Sequence, residues 1–268
     1  MSITIVVLTH NRLNLLKQCV ENVLARTSSA TQEIVIWNNA STDGTAEYLD
    51  TLTDPRITVV HHPENVGQNA YADAFPLTKA PYMIEVDDDV IEAPEHWDAR
   101  LLEAFTRLPD VGYLAANLVD NPHDDTARAM YGRNARLYEI VEENGVRLKA
   151  GGPVGGGCTM TSRELNEQVG GFPKSPKSTF FLEAAAYIRA IKPLGYRAAY
   201  LEDVKVLHAG GSYYAEIPEG KRDFWLAYQR RVMRKNAVKR LLLRVPFVRP
   251  LNDRYRLFQI WPLSESRE

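Results

Sequence analysis

Asp87-Asp88-Asp89 follows the apolar run Pro81-Tyr82-Met83-Ile84-Glu85-Val86, so three carboxylates arrive together where a short buried strand should end. Carboxylate oxygens suit hard divalent ions such as Mg²⁺ or Mn²⁺, which keep waters and lean on substrate phosphates. Open α/β sheets bind ligands beyond the carboxyl ends of their strands, which makes this position a candidate metal site. An acidic turn capping the helix expected from Pro94-Glu95 accounts for the same three residues. A second stretch, Gly151-Gly152-Pro153-Val154-Gly155-Gly156-Gly157, lets backbone approach a ligand closely or simply permits sharp bends.

The elements that must position these residues alternate between strand and helix signals in the first half, the pattern of a mostly parallel sheet covered by helices. Ile3 to Thr9 reads as a buried strand, and Leu13, Leu16, Val20, Val23 and Leu24 then recur at helical spacing. Glu33 to Trp37 is a second strand, followed by turn and cap residues Ser41-Thr42-Asp43-Gly44-Thr45 and a helix from Ala46 to Leu52. Ile57 to His61 and Tyr82 to Val86 are further strands, separated by a helix through Tyr71 and Phe75. A helix from Trp97 to Leu108 leads to the strand Val111 to Asn117. In the second half, Asn144-Gly145 between Leu137 to Val141 and Val146 to Ala150 predicts a hairpin. A helix from Leu182 to Leu194 and a strand from Arg197 to Leu207 close the pattern at His208-Ala209-Gly210-Gly211.

The 268 residues carry 45% hydrophobic and 25% charged side chains, an ordinary soluble composition, and a net charge of −2 gives no reason to expect nucleic acid. Two cysteines, Cys19 and Cys158, do not make a disulfide framework, and a reducing cytoplasm is the default expectation. No apolar run reaches membrane-span length, and the N-terminus lacks a signal-peptide pattern. From about Glu216 the balance turns basic, with Lys221, Arg222, Arg230, Arg231, Arg234, Lys235, Lys239, Arg240, Arg244 and Arg249 against few acids, and with Phe224, Tyr228 and Val232 at four-residue spacing. The expected organisation is a domain over 1–215 and a basic, amphipathic helical extension over 216–268. Such a helix either packs with its basic face in solvent or meets the anionic inner face of a membrane, and homodimerisation is a third use.

Four of these segments, in order, resemble the family 2 glycosyltransferases of the GT-A fold. Ile5-Val6-Val7-Leu8-Thr9-His10-Asn11-Arg12 is similar to the family's opening strand, with His10 in the tyrosine place. Val35-Ile36-Trp37-Asn38-Asn39-Ala40-Ser41-Thr42-Asp43-Gly44-Thr45 is similar to its second strand and Asp-Asn-Gly-Ser-Thr-Asp-Gly-Thr turn. Asn65-Val66-Gly67-Gln68-Asn69-Ala70 matches the third segment in part, and Asp87-Asp88-Asp89 falls where the metal-binding Asp-x-Asp belongs. The resemblance covers roughly residues 2 to 215. It implies an α/β fold of GT-A type, with a mostly parallel central sheet, flanking helices and a small antiparallel hairpin region.

By that resemblance, Thr9, Asn11, Arg12, Asn69, Asp87 and Asp88 lie along the nucleotide and Asn38 reads the base. The family usually has Asp at the place of Asn38, accepting from N3–H of uracil; an amide accepts there too but adds donors, so uracil leads and guanine or thymine stay open. Asp87 would meet the ribose and metal region, Asp89 would coordinate Mn²⁺ or Mg²⁺ bridging the diphosphate, and His208 is a third metal ligand or diphosphate contact. Gly156 and Gly157 belong to the floor beneath the donor sugar, and Lys174 to Thr179 to an acceptor loop expected to order when donor binds.

The implied function is metal-dependent transfer of a sugar, with inversion, from a nucleotide-sugar donor to a glycan, lipid-linked or small-molecule acceptor. The family's base comes from Glu-Asp at a helix start; counting back from Gly195, the matching segment is Glu183-Ala184-Ala185-Ala186, which keeps the glutamate and lacks both aspartates. Glu183 is therefore the expected base, with Glu202 and Asp203 as alternatives. A non-catalytic sugar-nucleotide binding protein is the second reading, and a sugar-phosphate nucleotidyltransferase the third. The latter looks for a glycine-rich phosphate loop after the first strand, and Thr9-His10-Asn11-Arg12 has no glycine; a dehydrogenase fails for lack of G-x-G-x-x-G.

Overall fold

Short β-branched runs and amphipathic helices alternate along the chain, and in the computed structural model they fold as that alternation dictates. The structure describes residues 1–176, 182–210, 221–245 and 248–255. It divides into two compact units, Met1–Glu216 and Ile217–Glu268.

In the first unit the elements are β1 (Ile3–Thr9), α1 (Leu13–Arg26), β2 (Thr31–Asn39), α2 (Thr45–Leu49), β3 (Ile57–His62), α3 (Ala70–Ala74), β4 (Tyr82–Asp87), β5 (Val90–Glu92), α4 (Trp97–Arg107), β6 (Val111–Leu118), α5 (Asp125–Tyr131), β7 (Glu139–Glu143), β8 (Val146–Ala150), β9 (Cys158–Ser162), α6 (Arg163–Gln168), α7 (Glu183–Ile191) and β10 (Arg197–His208). The sheet runs in the order β3-β2-β1-β4-β9-β6-β10-β8-β7, with β5 paired to β10 off that path. β1 to β4 are mutually parallel, β9 is antiparallel to both its neighbours, and β7 and β8 form the hairpin. Asn144 and Gly145 both take positive φ at its turn, 50° and 73°, as a tight two-residue hairpin requires.

β9 and β5 are not legible as strands in the sequence. β9 alternates Cys158 and Met160 with Thr159 and Thr161; its threonine hydroxyls are absorbed by donating to the carbonyls of Gly155 and Gly112, so an alternating polar strand lies buried in mid-sheet. The helix expected through Tyr71 and Phe75 is broken into short pieces around α3, where Pro76 ends regular helical hydrogen bonding.

Parallel register sets the site. Leu8 lies opposite Asp87, Thr9 opposite Asn38, and Asn38 opposite His61, so the carboxyl ends of β4, β1, β2 and β3 finish at one level. The core beneath is built from Ile5, Val7, Ile36, Ile84, Val86, Leu114 and Val206, all buried.

The second unit comprises α8 (Lys221–Leu242) and α9 (Val248–Tyr255). Arg230, Arg231, Arg234 and Lys235 on α8 are exposed, as are Met233, Val238 and Leu241. Among the described residues, no helix is long and apolar enough to cross a membrane.

Candidate active site

The aspartate turn is held by a cation from the other end of the first crossover. Arg12, at the start of α1, places one guanidinium nitrogen 2.7 Å from Asp88 Oδ1 and another 2.7 Å from Asp89 Oδ2. Thr9 donates its hydroxyl to the remaining Asp88 oxygen at 2.7 Å. Asp88 is thus satisfied inside the protein, and burial, opposed by the Arg12 charge, still pushes its carboxyl up to about 6. The acids do not cap the following helix: α4 starts at His96-Trp97 with no side-chain cap.

Asp87 and Asp89 face a different partner. β5 turns back from Asp89 and pairs antiparallel with the end of β10, Val90 opposite His208, and Ala209 N–H donates to the Asp89 carbonyl at 2.7 Å. This brings His208 Nε2 to 3.1 Å from Asp89 Oδ1 and 3.9 Å from Asp87 Oδ2. One ligand atom from each of Asp87, Asp89 and His208 lies within 4.8 Å of the others, so the three converge on a volume that fits one divalent ion. The opposite ring nitrogen, Nδ1, lies 3.2 Å from Asp124 Oδ1. Asp124 is the N-cap of α5, accepting from the N–H groups of Thr126 and Ala127, and a carboxylate behind a ligating imidazole fixes the ring's orientation. Burial alone would lower the His208 pKa, but the Asp89 charge and the nearby carboxylates of Asp124 and Asp87 outweigh it and hold the imidazolium well above the usual histidine range.

Beside the glycine-rich stretch, Tyr71 donates its hydroxyl to Asp87 Oδ1 at 3.1 Å, and the backbone N–H of Asp87 donates to the Gly157 carbonyl at 2.9 Å. A side chain at Gly157 would close on His208 at 3.4 Å and on Asp87 Oδ2 at 3.5 Å, and one at Gly156 would collide with Glu85. Gly156 therefore lets the backbone lie tight against Glu85, while a Cβ at Gly157 would make only ordinary contact with the cluster. Glu85 is fully buried, with Oε1 accepting from Tyr113 and Oε2 without a hydrogen-bond partner. Burial first, then the charges of Glu183 and Asp87, against the hydrogen bond from Tyr113, raise its pKa well above the carboxylate range. Glu183 opens α7, and its charge acts on Tyr71, Glu85 and Tyr113. By contrast Glu202 accepts from Asn117 at 2.7 Å and Asp203 pairs with Arg147 at 3.2 Å, out on β10.

At the carboxyl end of β2, Asn38 is buried and its amide meets Ser41 N–H and His61. Asn11, at φ 51°, accepts from Thr42 N–H at 2.7 Å, and Ala40 holds φ 56°, a left-handed conformation that glycine adopts at lower cost. Asn69 exchanges hydrogen bonds with the backbone of Ser175, and Lys174 pairs with Asp73 at 2.6 Å. The rest of the expected acceptor loop, residues 177 to 179, lies outside the described residues. Asp124, Tyr71, Glu85 and His61 were not picked out by sequence reading; only the Asp124-x-Thr126 cap pattern offered a local signal.

Two aspartates and a histidine gather here beside buried polar strand ends, on a mixed α/β fold whose mostly parallel central sheet matches GT-A glycosyltransferase structures. The profile of glycosyl transferase family 2 matches residues 4–170, and the chain belongs to that family. No curated protein sequence matches it. Among solved structures it is similar to the mannosyltransferase PcManGT from Pyrobaculum calidifontis in complex with GDP-Man and Mn²⁺, at 23% identity and TM-score 0.55, covering 86% of this chain and 60% of that one. It is also similar to S. aureus TarS 1-349 in complex with UDP-GlcNAc, at 14% identity and TM-score 0.59, covering 87% of this chain and 66% of that one. A third is GalNAc-T7 with UDP, GalNAc and Mn²⁺, at 16% identity and TM-score 0.54, covering 79% and 45%. The chain spans about three-fifths of the length of the first of these structures.

Proposed function

We propose that this protein transfers a sugar, with inversion, from a nucleoside-diphosphate sugar to an acceptor hydroxyl, and that Asp87, Asp89 and His208 hold the divalent ion. The observation that carries the reading is the convergence of those three side chains at the common carboxyl end of the parallel strands. When bound there, the ion supplies electrostatic stabilisation of the departing diphosphate. An imidazole beside two carboxylates suits Mn²⁺ better than Mg²⁺, whose preference is for oxygen alone. Arg12 and Thr9 hold Asp88 and Asp89 in place; Gly156 and Gly157 leave room for the donor sugar; Glu183 takes the acceptor proton. Nucleotides with uracil or guanine, the bases carried in the complexes of the similar structures, are the first candidates.

Calorimetric titration with UDP, GDP and dTDP, each with and without Mn²⁺, tests this reading, with Asp89→Ala as control. Tight binding of one nucleotide that needs both Mn²⁺ and Asp89 is the expected result. No metal-dependent binding to any of the three would make the aspartate cluster a structural turn.

Asp124 gives a second check. Asp124→Asn takes the charge from behind His208 and keeps an acceptor for only one of the two α5 cap N–H groups, so Mn²⁺ affinity should fall about 10- to 100-fold alongside a cap loss of about 1 kcal/mol. Unchanged Mn²⁺ affinity would leave Asp124 as a helix cap only.

A further inference from the structure

β2 and β3 place Asn38 directly opposite His61, and the hydrogen bonds around this pair have a direction. The backbone N–H of Ser41 lies 3.0 Å from Asn38 Oδ1. A backbone N–H can only donate, so the amide oxygen must point toward Ser41 and the NH₂ group away from it. That NH₂ lies 3.0 Å from His61 Nδ1, which must then accept and carry no proton. The ring proton of the neutral imidazole is left on Nε2, which faces Asp50 Oδ1 at 3.1 Å and donates to it. The chain runs one way: Asn38 N–H to His61 Nδ1, then His61 Nε2–H to the Asp50 carboxylate.

We infer that His61 and Asp50 are positioning residues that lock the amide of Asn38, so that the nucleobase meets an acceptor and a donor in fixed order. The inference rests on the nucleotide-sugar reading of the site. After its bonds to Ser41 and His61, Asn38 retains one oxygen lone pair and one N–H. A free amide can flip and present these in either order; a locked one cannot. Order is what separates the two classes of base. Uracil and guanine present a ring N–H flanked by C=O, whereas cytosine and adenine present a bare ring nitrogen flanked by NH₂. For bases held in one pose, a locked amide therefore discriminates keto from amino, and the proposed reading supplies the class: a uridine or guanosine diphosphate. An aspartate at this position would accept from both directions and could not donate to the base carbonyl.

The relay can be read without any nucleotide. Nitrogen NMR of the free protein should show His61 with an unprotonated Nδ1 and a protonated Nε2, and Asn38→Asp should move a proton onto Nδ1, since two carboxylates would then flank the ring. A proton on Nδ1 of the unsubstituted protein would overturn the lock. In binding, His61→Leu should weaken the preferred keto nucleotide about tenfold and narrow its advantage over the amino counterpart, UDP over CDP or GDP over ADP. His61→Gln, which offers a carbonyl acceptor to the same NH₂, should restore much of both. An unchanged keto-to-amino ratio in His61→Leu, or preference for CDP or ADP in the unsubstituted protein, would overturn the inference. If no nucleotide binds at all, the transferase reading falls, while the histidine tautomer still decides whether the relay exists.

Discussion

Glu183→Gln is expected to lower turnover about 10²- to 10⁴-fold, the range for loss of a positioned general base, while leaving nucleotide and Mn²⁺ affinity unchanged. Under the proposed function the acceptor hydroxyl loses a proton as the diphosphate departs, so the base has to sit near the acidic cluster without belonging to the proposed metal set. Glu183 is the residue proposed for this place, on its charge at two neighbours of the cluster. Its charge acts on Tyr71, which donates to Asp87, and on the buried Glu85 and Tyr113 below the glycine floor. It opens α7, where the helix N-terminus favours a carboxylate. The other acids lie in different surroundings: Glu202 accepts from Asn117 and Asp203 pairs with Arg147 on β10, and Glu85 holds its proton in the core. The aspartate missing at position 184 also has a structural account. Ala184, Tyr187 and Ile191 are the buried face of α7, so an acid at position 184 would point into apolar packing. Steady-state and single-turnover rates with a competent acceptor check the prediction, and normal turnover in Glu183→Gln would remove this residue from the role.

The segments that were legible in the sequence are those in which one local rule decides. β1 and β4 are short apolar runs, Asn144-Gly145 dictates its turn, and the three aspartates end a strand that could only be buried. The family resemblance then supplied roles for Asn38, Glu183 and His208 that spacing alone does not give. What stayed illegible depends on pairing between distant residues. β5 has only three residues and is defined by its partner, yet its contact with β10 is what carries His208 to Asp89. β9 reads as a polar continuation of a glycine-rich loop until β4 and β6 flank it. His61 had no partner pattern in the sequence because its partners, Asn38 and Asp50, are brought to it by the β2–β3 register and by the turn after α2. Tyr71 and Asp124 act on the site from elements whose sequences announce only helix.

Arg12→Leu should be the most destabilising single change at the site, costing about 3–5 kcal/mol, because it strips the cation from two buried carboxylates instead of removing a pair. Arg12 touches both Asp88 and Asp89 at 2.7 Å, and all three side chains are almost wholly enclosed. Without it Asp88 keeps the Thr9 hydroxyl, and Asp89 keeps its contact with His208. For the first unit, of about two hundred residues, that loss corresponds to a fall in Tm of roughly 10 °C. The sign of the pH dependence follows from Asp88. Its folded-state pKa, about 6, lies above the ordinary value, so Asp88 is most costly to bury ionised above pH 6 and least costly once protonated. The gap in Tm between Arg12→Leu and the unsubstituted protein should therefore be widest at neutral pH and narrow as pH falls through about 6. Mn²⁺ separates the structural from the functional part of the defect: an ion bound by Asp87, Asp89 and His208 returns positive charge to the cluster, so added Mn²⁺ should raise the Tm of Arg12→Leu more than that of the unsubstituted protein. A variant as stable as its parent at pH 7, by calorimetry without metal, would mean that Asp88 and Asp89 are neutralised by something other than Arg12, and the charge balance of the site would have to be rebuilt around His208.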